Sequence, residues 1–175
     1  MTRSELEHLI RASGAIADDN ELIIIGSQSI LAQFPEAPAT LRVSMETDLY
    51  PRNKPELADL VDGSIGEGSY FHEQFGYYAQ GVGPETAILP AGWENRLARI
   101  DNENTNGIAG LCLDVHDLAI SKYVAGRPKD REFTRELARQ TMTKHQTLKQ
   151  RLNATDIPPE EQTRISSVID MDFQE

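Results

Sequence analysis

The chain has little cysteine and no long apolar run. Its single cysteine, Cys112, excludes an intramolecular disulfide, and within "GLCLDV" it is typical of a small, buried strand residue. No apolar stretch approaches the roughly 20 residues that span a bilayer. The N-terminal "MTRSELEHLI" lacks the apolar segment of a signal peptide. These absences predict a cytoplasmic protein without a membrane partner.

Positive charge is also scarce. The 175 residues include 28 acidic and 17 basic side chains, for a net charge of -11. Such a charge opposes non-specific attraction to nucleic acid phosphates and to anionic membranes. We therefore expect no DNA partner, and an RNA partner would need a local basic patch. The length is typical of one domain with one core and a small appended subdomain.

Several familiar catalytic motifs are missing as well. The sequence contains no G-x-x-x-x-G-K-[ST] phosphate loop, no G-x-G-x-x-G dinucleotide pattern and no G-x-S-x-G. The four histidines have no metal-ligand spacing, so we interpret them as surface or capping residues. The absent patterns leave those classes of nucleotide-binding protein and hydrolase without support.

Hydrophobic patterning predicts an α/β segment followed by helices only. The run "LIIIG" (22–26) does not alternate, as expected for a central strand covered on both faces. Residues 41–51, "LRVSMETDLYP", alternate with period two and predict a half-polar strand. Further strands are predicted in "FGYYAQGV", "TAILP" and "IAGLCLDV".

Helical periodicity marks the remaining segments. We predict a first helix around Leu6, Leu9 and Ile10, a helix in "SQSILAQF" and another in "KPELADLVDGSIG". From Asp114, a plausible N-cap, the helices are "DVHDLAISKYVAG", "KDREFTRELARQTM", "HQTLKQRL" and "PEEQTRISSVIDM". The expected architecture is a small mixed sheet flanked by helices over residues 1–113, with a helical subdomain over 114–175 packed on it.

An acidic pair on the half-polar strand is the first candidate site. Glu46 and Asp48 are separated by one residue, so on a strand they share a face, with Cα atoms roughly 6 to 7 Å apart. Mg²⁺ takes one or two protein carboxylates and completes its shell with phosphate oxygens and water. Arg42 and Ser44 are predicted on the same face. A solvated strand face is the alternative interpretation.

A glycine-serine step follows the central strand. At Gly26 and Ser27 the backbone can approach a ligand closely, and backbone N–H groups and hydroxyls at the start of a helix bind anions. Ser27 or Ser29 would equally well cap the helix and do nothing else. The junction is therefore either a phosphate site or a cap.

Together these two elements resemble the nucleotidyltransferase superfamily with the polymerase-β-like fold. Its members have a Gly-Ser turn that opens a helix and then a strand with two acidic residues one apart, here "IIIGSQS" and "SMETDLY". The longer separation resembles the abortive-infection branch, which includes toxins of type IV toxin-antitoxin systems. Its Arg-x-Thr-x-Asp-x-Asp strand is similar to "RVSMETD" here.

The resemblance continues in "HDLAISKYVAGRPKD", where that branch has a lysine, a break, and then an aspartate that opens the next helix. Lys122 and Asp130 match these positions. Lys122 interrupts an otherwise apolar helix face, so burial would require a counter-charge; a lysine that extends to solvent is the alternative. From the residues alone, Asp130 is an N-cap or first-turn acid.

The resemblance implies transfer of a nucleotidyl group from a nucleoside triphosphate to RNA or protein, and it implies an antitoxin partner. Glu46 and Asp48 would bind Mg²⁺, while Lys122 and Asp130 would complete the catalytic set. The triphosphate would be held by Gly26, Ser27 and Ser29, with Arg42 as a further clamp or as a partner of the acidic pair. Gln80 stands where many members have a third acid. The alternative is therefore a non-catalytic nucleotide-sensing or protein-binding module on this fold.

Overall fold

A computed structural model describes residues 1–174 of the protein, which form two compact units. The first unit comprises residues 1–86 and 97–113. The second comprises residues 87–96 and the chain from Asp114 onward. Each unit has its own helices, and the sheet belongs to the first.

The first unit contains a five-stranded mixed sheet in the order β3-β2-β1-β5-β4. Strand β1 pairs antiparallel with β2 and parallel with β5. Strands β2 and β3 are parallel, and β4 and β5 are antiparallel. The prediction of a central strand after the first helix is confirmed. The strands are β1 (Glu21–Ile24), β2 (Glu46–Pro51), β3 (Tyr78–Gly81), β4 (Ala98–Ile100) and β5 (Ala109–Cys112).

Four helices accompany this sheet. Thr2 caps the first one in a capping box with Glu5, and its apolar stripe is fully buried at Leu6, Leu9 and Ile10, as predicted. Cys112 on β5 is buried, also as predicted, and burial raises the pKa of its thiol to about 12. The helices are α1 (Arg3–Ala17), α2 (Ile30–Gln33), α3 (Ala58–Ile65) and α4 (Tyr70–Phe75).

The second unit is helical. Asp114 caps its first helix by accepting a hydrogen bond from the His116 backbone N–H, which confirms the predicted N-cap. Residues 87–96 join this unit because the Ala91 N–H donates to the Ala154 carbonyl at 2.8 Å. Its helices are α5 (Val115–Ala125), α6 (Pro128–Arg139), α7 (His145–Asn153) and α8 (Pro159–Asp172). In residues 1–174, no helix is both long and apolar enough to cross a membrane.

Some predicted elements are shorter than expected or absent. Strand β2 begins only at Glu46, because the Ser44 hydroxyl bonds the backbone of Glu46 in a local turn. The helix predicted in "SQSILAQF" is a 3-10 turn over Ser27–Ser29 followed by the short α2. The prediction of a strand in "TAILP" was wrong, because Thr86 ends a 3-10 turn and residues 87–90 form no strand. Strand β4 and helix α4 were missed, because both are too short to show a clear period.

Candidate functional site

The acidic pair lies on β2, where the neighbouring strand β3 sets its surroundings. Glu46 and Asp48 are half-buried, whereas Thr47 is fully buried between them, so the predicted alternation is confirmed from Glu46 to Leu49. It ends at Tyr50, which was predicted on the polar face but is buried. The parallel register places Tyr78 beside Glu46 and Gln80 beside Asp48. Four polar side chains of two paired strands therefore share one face of the sheet.

The glycine turn lies against this pair. A Cβ atom added to Gly26 would be 2.9 Å from Asp48 Oδ2 and 3.1 Å from Asp48 Cγ. The backbone keeps the two segments together, since the Ile25 N–H donates to the Asp48 carbonyl at 3.0 Å. Only glycine leaves the Asp48 carboxylate room at this distance, so the turn and the acidic strand form one site.

Gln80 contacts both carboxylates. Because both neighbouring groups are acceptors, the amide nitrogen faces them as a donor, 3.1 Å from Asp48 Oδ1 and 3.2 Å from Glu46 Oε2. A neutral donor thus connects two negative groups that would otherwise only repel each other. This contact also shows that the Glu46 and Asp48 carboxylates converge.

Tyr78 is a member of the site that the sequence analysis missed. Its hydroxyl donates to Glu46 Oε2 at 3.0 Å. Burial, together with this hydrogen bond, raises the pKa of Tyr78 to about 12, so the phenol stays protonated near neutral pH and remains a donor. The available signal was the period of two in "YAQ", which places Tyr78 on the face of Gln80.

The serines of the turn differ in what they offer a ligand. Ser27 is half-buried, and its hydroxyl accepts a hydrogen bond from Gln28 Nε2 at 3.2 Å, which leaves its own proton to donate. Ser29 is fully buried, and its hydroxyl donates to the Ile24 carbonyl at 2.8 Å. Ser29 therefore ties the turn to β1 and uses its hydroxyl proton within the fold, and its predicted contact with the triphosphate stays a prediction.

Arg42 does not lie on the acidic strand, contrary to the predicted shared face. It precedes β2, and its Nε donates to the Ala37 carbonyl at 2.6 Å. The guanidinium thus contributes to the turn between residues 37 and 42. Its role as a phosphate clamp stays a prediction from the resemblance.

Lys122 and Asp130 lie in the second unit and contact each other. Lys122 Nζ is 3.6 Å from Asp130 Oδ1, which supplies the counter-charge that the sequence analysis required. Asp130 is buried in the first turn of α6, and it also binds Arg127 Nε at 2.7 Å. Burial alone would raise the pKa of Asp130, but the Arg127 hydrogen bond and the Lys122 charge outweigh it and lower the pKa. Their catalytic roles remain predictions.

The donor set fits one hard cation. Across the described residues 1–174, no group of three or more acidic, histidine or cysteine side chains is arranged to bind a metal. Glu46 and Asp48 nevertheless provide the two carboxylates that Mg²⁺ commonly takes from a protein when substrate phosphates and water supply the rest. The residues present thus suit a metal that binds together with a phosphate-bearing ligand.

A mixed sheet flanked by helices, with a Gly-Ser turn beside an acidic strand, defines an α+β nucleotidyltransferase-like fold. The chain belongs to the family described as "nucleotidyltransferase of unknown function (DUF6036)", whose model matches residues 4–174. The match extends over both units. No curated protein and no solved structure shows a significant match to the chain.

Proposed function

We propose that this protein transfers a nucleotidyl group from a nucleoside triphosphate to RNA or protein in a Mg²⁺-dependent reaction. The observation that carries the proposal is the contact of the Asp48 carboxylate with Gly26, while Glu46 shares the Gln80 amide with Asp48. A turn suited to phosphate and a cation-binding pair are therefore neighbours. Membership of a nucleotidyltransferase family supports the same chemistry.

The site residues of the first unit each have a defined task in this proposal. Glu46 and Asp48 would hold the cation, which would supply positive charge to the phosphate oxygens. Gly26 lets the triphosphate approach the backbone, and the Ser27 hydroxyl donates to a phosphate oxygen. Gln28 keeps that hydroxyl oriented, because its amide occupies one Ser27 lone pair. Tyr78 holds the Glu46 carboxylate in place.

The acceptor and the biological role rest on the resemblance. The toxin branch modifies other macromolecules, so we propose an RNA or protein acceptor and a toxin that an antitoxin restrains. The net charge of -11 disfavours non-specific RNA binding and favours an acceptor that the protein recognises locally. A neighbouring gene for a small antitoxin would support this role.

The proposal is tested by incubating the protein with labelled nucleoside triphosphates, Mg²⁺, and total RNA or protein extract. We expect label transfer by the wild type and its loss with a chelator. Glu46→Gln and Asp48→Asn should each reduce transfer by about 100-fold or more, because each removes a charge that holds the cation. Glu56→Gln, on the exposed turn before α3, is the matched control and should retain full activity. Equal transfer by all four proteins would refute the assignment.

One observation favours a non-catalytic alternative. Gln80 occupies the position of a third acid, and an amide cannot act as a general base. In that case Mg²⁺ and nucleotide would still bind through Glu46 and Asp48, but no label would leave the nucleotide. Calorimetric binding measured beside the transfer assay separates the two functions.

A further inference from the structure

The Gln80 amide can offer either a donor or an acceptor to the two acidic side chains beside it. One polar atom of its side-chain amide lies 3.1 Å from Asp48 Oδ1 and 3.2 Å from Glu46 Oε2. A primary amide carries a donor nitrogen and an acceptor oxygen at its end, and a half-turn about the last side-chain bond exchanges them. The same position can therefore be filled by either atom.

The two orientations suit two different states of the site. Without a cation, the nitrogen faces the carboxylates, because an oxygen there would repel both of them. With a divalent cation between the carboxylates, this preference reverses, since the cation attracts the amide oxygen and repels the N–H group. Asparagine and glutamine carbonyl oxygens are established ligands of hard cations.

The distances agree with both states. An N–H···O hydrogen bond has a heavy-atom separation of about 2.7 to 3.2 Å. Oxygen ligands about 2.1 Å from Mg²⁺ at right angles are about 3 Å apart, which is close to the same value. The distances from the Gln80 amide to the two carboxylates therefore suit a donor nitrogen and a ligand oxygen alike.

We propose that Gln80 is a third, neutral metal ligand whose amide rotates by a half-turn when the cation binds. In the metal-free protein its nitrogen connects Glu46 and Asp48, and in the loaded protein its oxygen faces the cation. Gln80 is exposed on the edge strand β3, so the amide can turn without displacing core side chains. The ligand set then carries two negative charges rather than three, which suits a single cation.

This inference rests on the proposed function for the location of the metal, but its test does not require nucleotidyl transfer. Mn²⁺ alone serves as the probe, and the electron paramagnetic resonance signal of the free ion reports its binding. We expect Gln80→Leu to weaken Mn²⁺ binding by about tenfold, the lower range for losing a group that supports a metal site. Gln80→Glu should tighten binding, because it adds a third charge.

Gln74→Leu is the matched control, since Gln74 is another exposed glutamine of the first unit, on α4. Its Mn²⁺ affinity should equal that of the wild type. If Gln80 acts only as a hydrogen-bond donor, removing it takes one competing donor away from both carboxylates, and Gln80→Leu should bind Mn²⁺ as tightly as the wild type or more tightly. That result would overturn the inference, as would the absence of saturable Mn²⁺ binding by the wild type.

Nuclear magnetic resonance of the Gln80 side-chain amide provides a second readout. Titration with Mg²⁺ should shift this resonance, identified by its loss in Gln80→Leu, with saturation at the occupancy of the site. An unchanged chemical shift of this amide during saturable Mg²⁺ binding would exclude the proposed rotation. Failure of the proposed function is recognised separately: Mn²⁺ would bind through Gln80 as described, yet no nucleotide label would be transferred.

Discussion

Glu46 in the first unit and Asp117 in the second are both carboxylates with several partners, but the partners differ in charge. Asp117 is fully buried and bonds Arg96 through two nitrogens at 2.8 Å and Arg151 at 2.9 Å. The partners of the Glu46 side chain are a phenol and an amide, and among residues 1–174 it has no ion pair. The carboxylate that stabilises the fold is paired with two guanidinium groups, whereas the one assigned to the site has neutral partners.

The comparison suggests how to distinguish structural from functional acids in this chain. A buried charge is tolerated when oppositely charged groups replace its lost hydration. Neutral donors orient a carboxylate without cancelling its charge, so it can still attract a cation. The predictions below test this distinction in order of decreasing effect.

Removal of the Asp117 charge should have the largest effect. Asp117→Asn would remove the carboxylate partner of Arg96 and one of the two carboxylate partners of Arg151, and we expect the free energy of unfolding to fall by about 3 to 5 kcal/mol. Urea denaturation measures this loss. Asp101→Asn is the control, since its partner Arg99 is largely exposed, and it should cost less than about 1 kcal/mol. Equal losses would contradict the comparison.

Acid should weaken the second unit through Asp130. The pKa of this carboxyl is lowered in the folded protein, so its stabilisation is complete above the unfolded pKa of about 4 and is lost as pH falls through the folded value. We expect Asp130→Asn to reduce the free energy of unfolding at pH 7 by about 1.5 to 3 kcal/mol. The difference from the wild type should shrink below about pH 4. A constant difference from pH 7 to pH 3 would refute this linkage.

A methyl group at the glycine turn should disturb the site more than the fold. In Gly26→Ala the new Cβ would meet the Asp48 carboxylate, and we expect a loss of about 1 to 2 kcal/mol in stability together with weaker Mn²⁺ binding. Gly63→Ala, within α3 and with open space around its added Cβ, should instead stabilise the protein by about 0.5 to 1 kcal/mol. Unchanged Mn²⁺ affinity in Gly26→Ala would show that the glycine turn does not affect cation binding by Glu46 and Asp48.

The smallest effect is expected at Tyr78. Tyr78→Phe removes one neutral donor from Glu46, so the free energy of unfolding should decrease by about 0.5 to 1.5 kcal/mol. The charge of the site is unchanged, and Mn²⁺ should still bind. Thermal denaturation and Mn²⁺ titration measure the two properties. Complete loss of Mn²⁺ binding would show that Tyr78 does more than orient Glu46.

Patterns of local origin were predictable from the sequence. The non-alternating run after the first helix indicated the central strand, because a strand buried on both faces has no polar period. Spacing alone placed Glu46 and Asp48 on one face. Asp114 was predictable as a cap, since its side chain bonds the backbone two residues later.

Features that depend on strand pairing were not predictable. The contact of Tyr78 with Glu46 requires the parallel register of β2 and β3, two strands separated by α3 and α4 in the chain. Arg42 was assigned to the strand because the alternating pattern extends back to residue 41. The turn at Ser44 instead makes β2 begin at Glu46, after Arg42. Ser29 looked like a ligand, yet its hydroxyl is used within the fold. A tertiary contact placed Tyr78 beside Glu46, whereas a side-chain hydrogen bond to nearby backbone outweighed the sequence pattern at Arg42 and Ser29.

The four-residue length of β3, with its exposed Gln80, also bears on how this family can change. A single codon change there can exchange an amide for a carboxylate without repacking any buried side chain. A shift of one residue in pairing, by contrast, would turn Ala79 toward the acidic pair and remove both polar neighbours at once. Substitutions at residue 80 can therefore change the polar surroundings of the acidic pair at little cost to the fold, but only while the alignment of these two strands is kept.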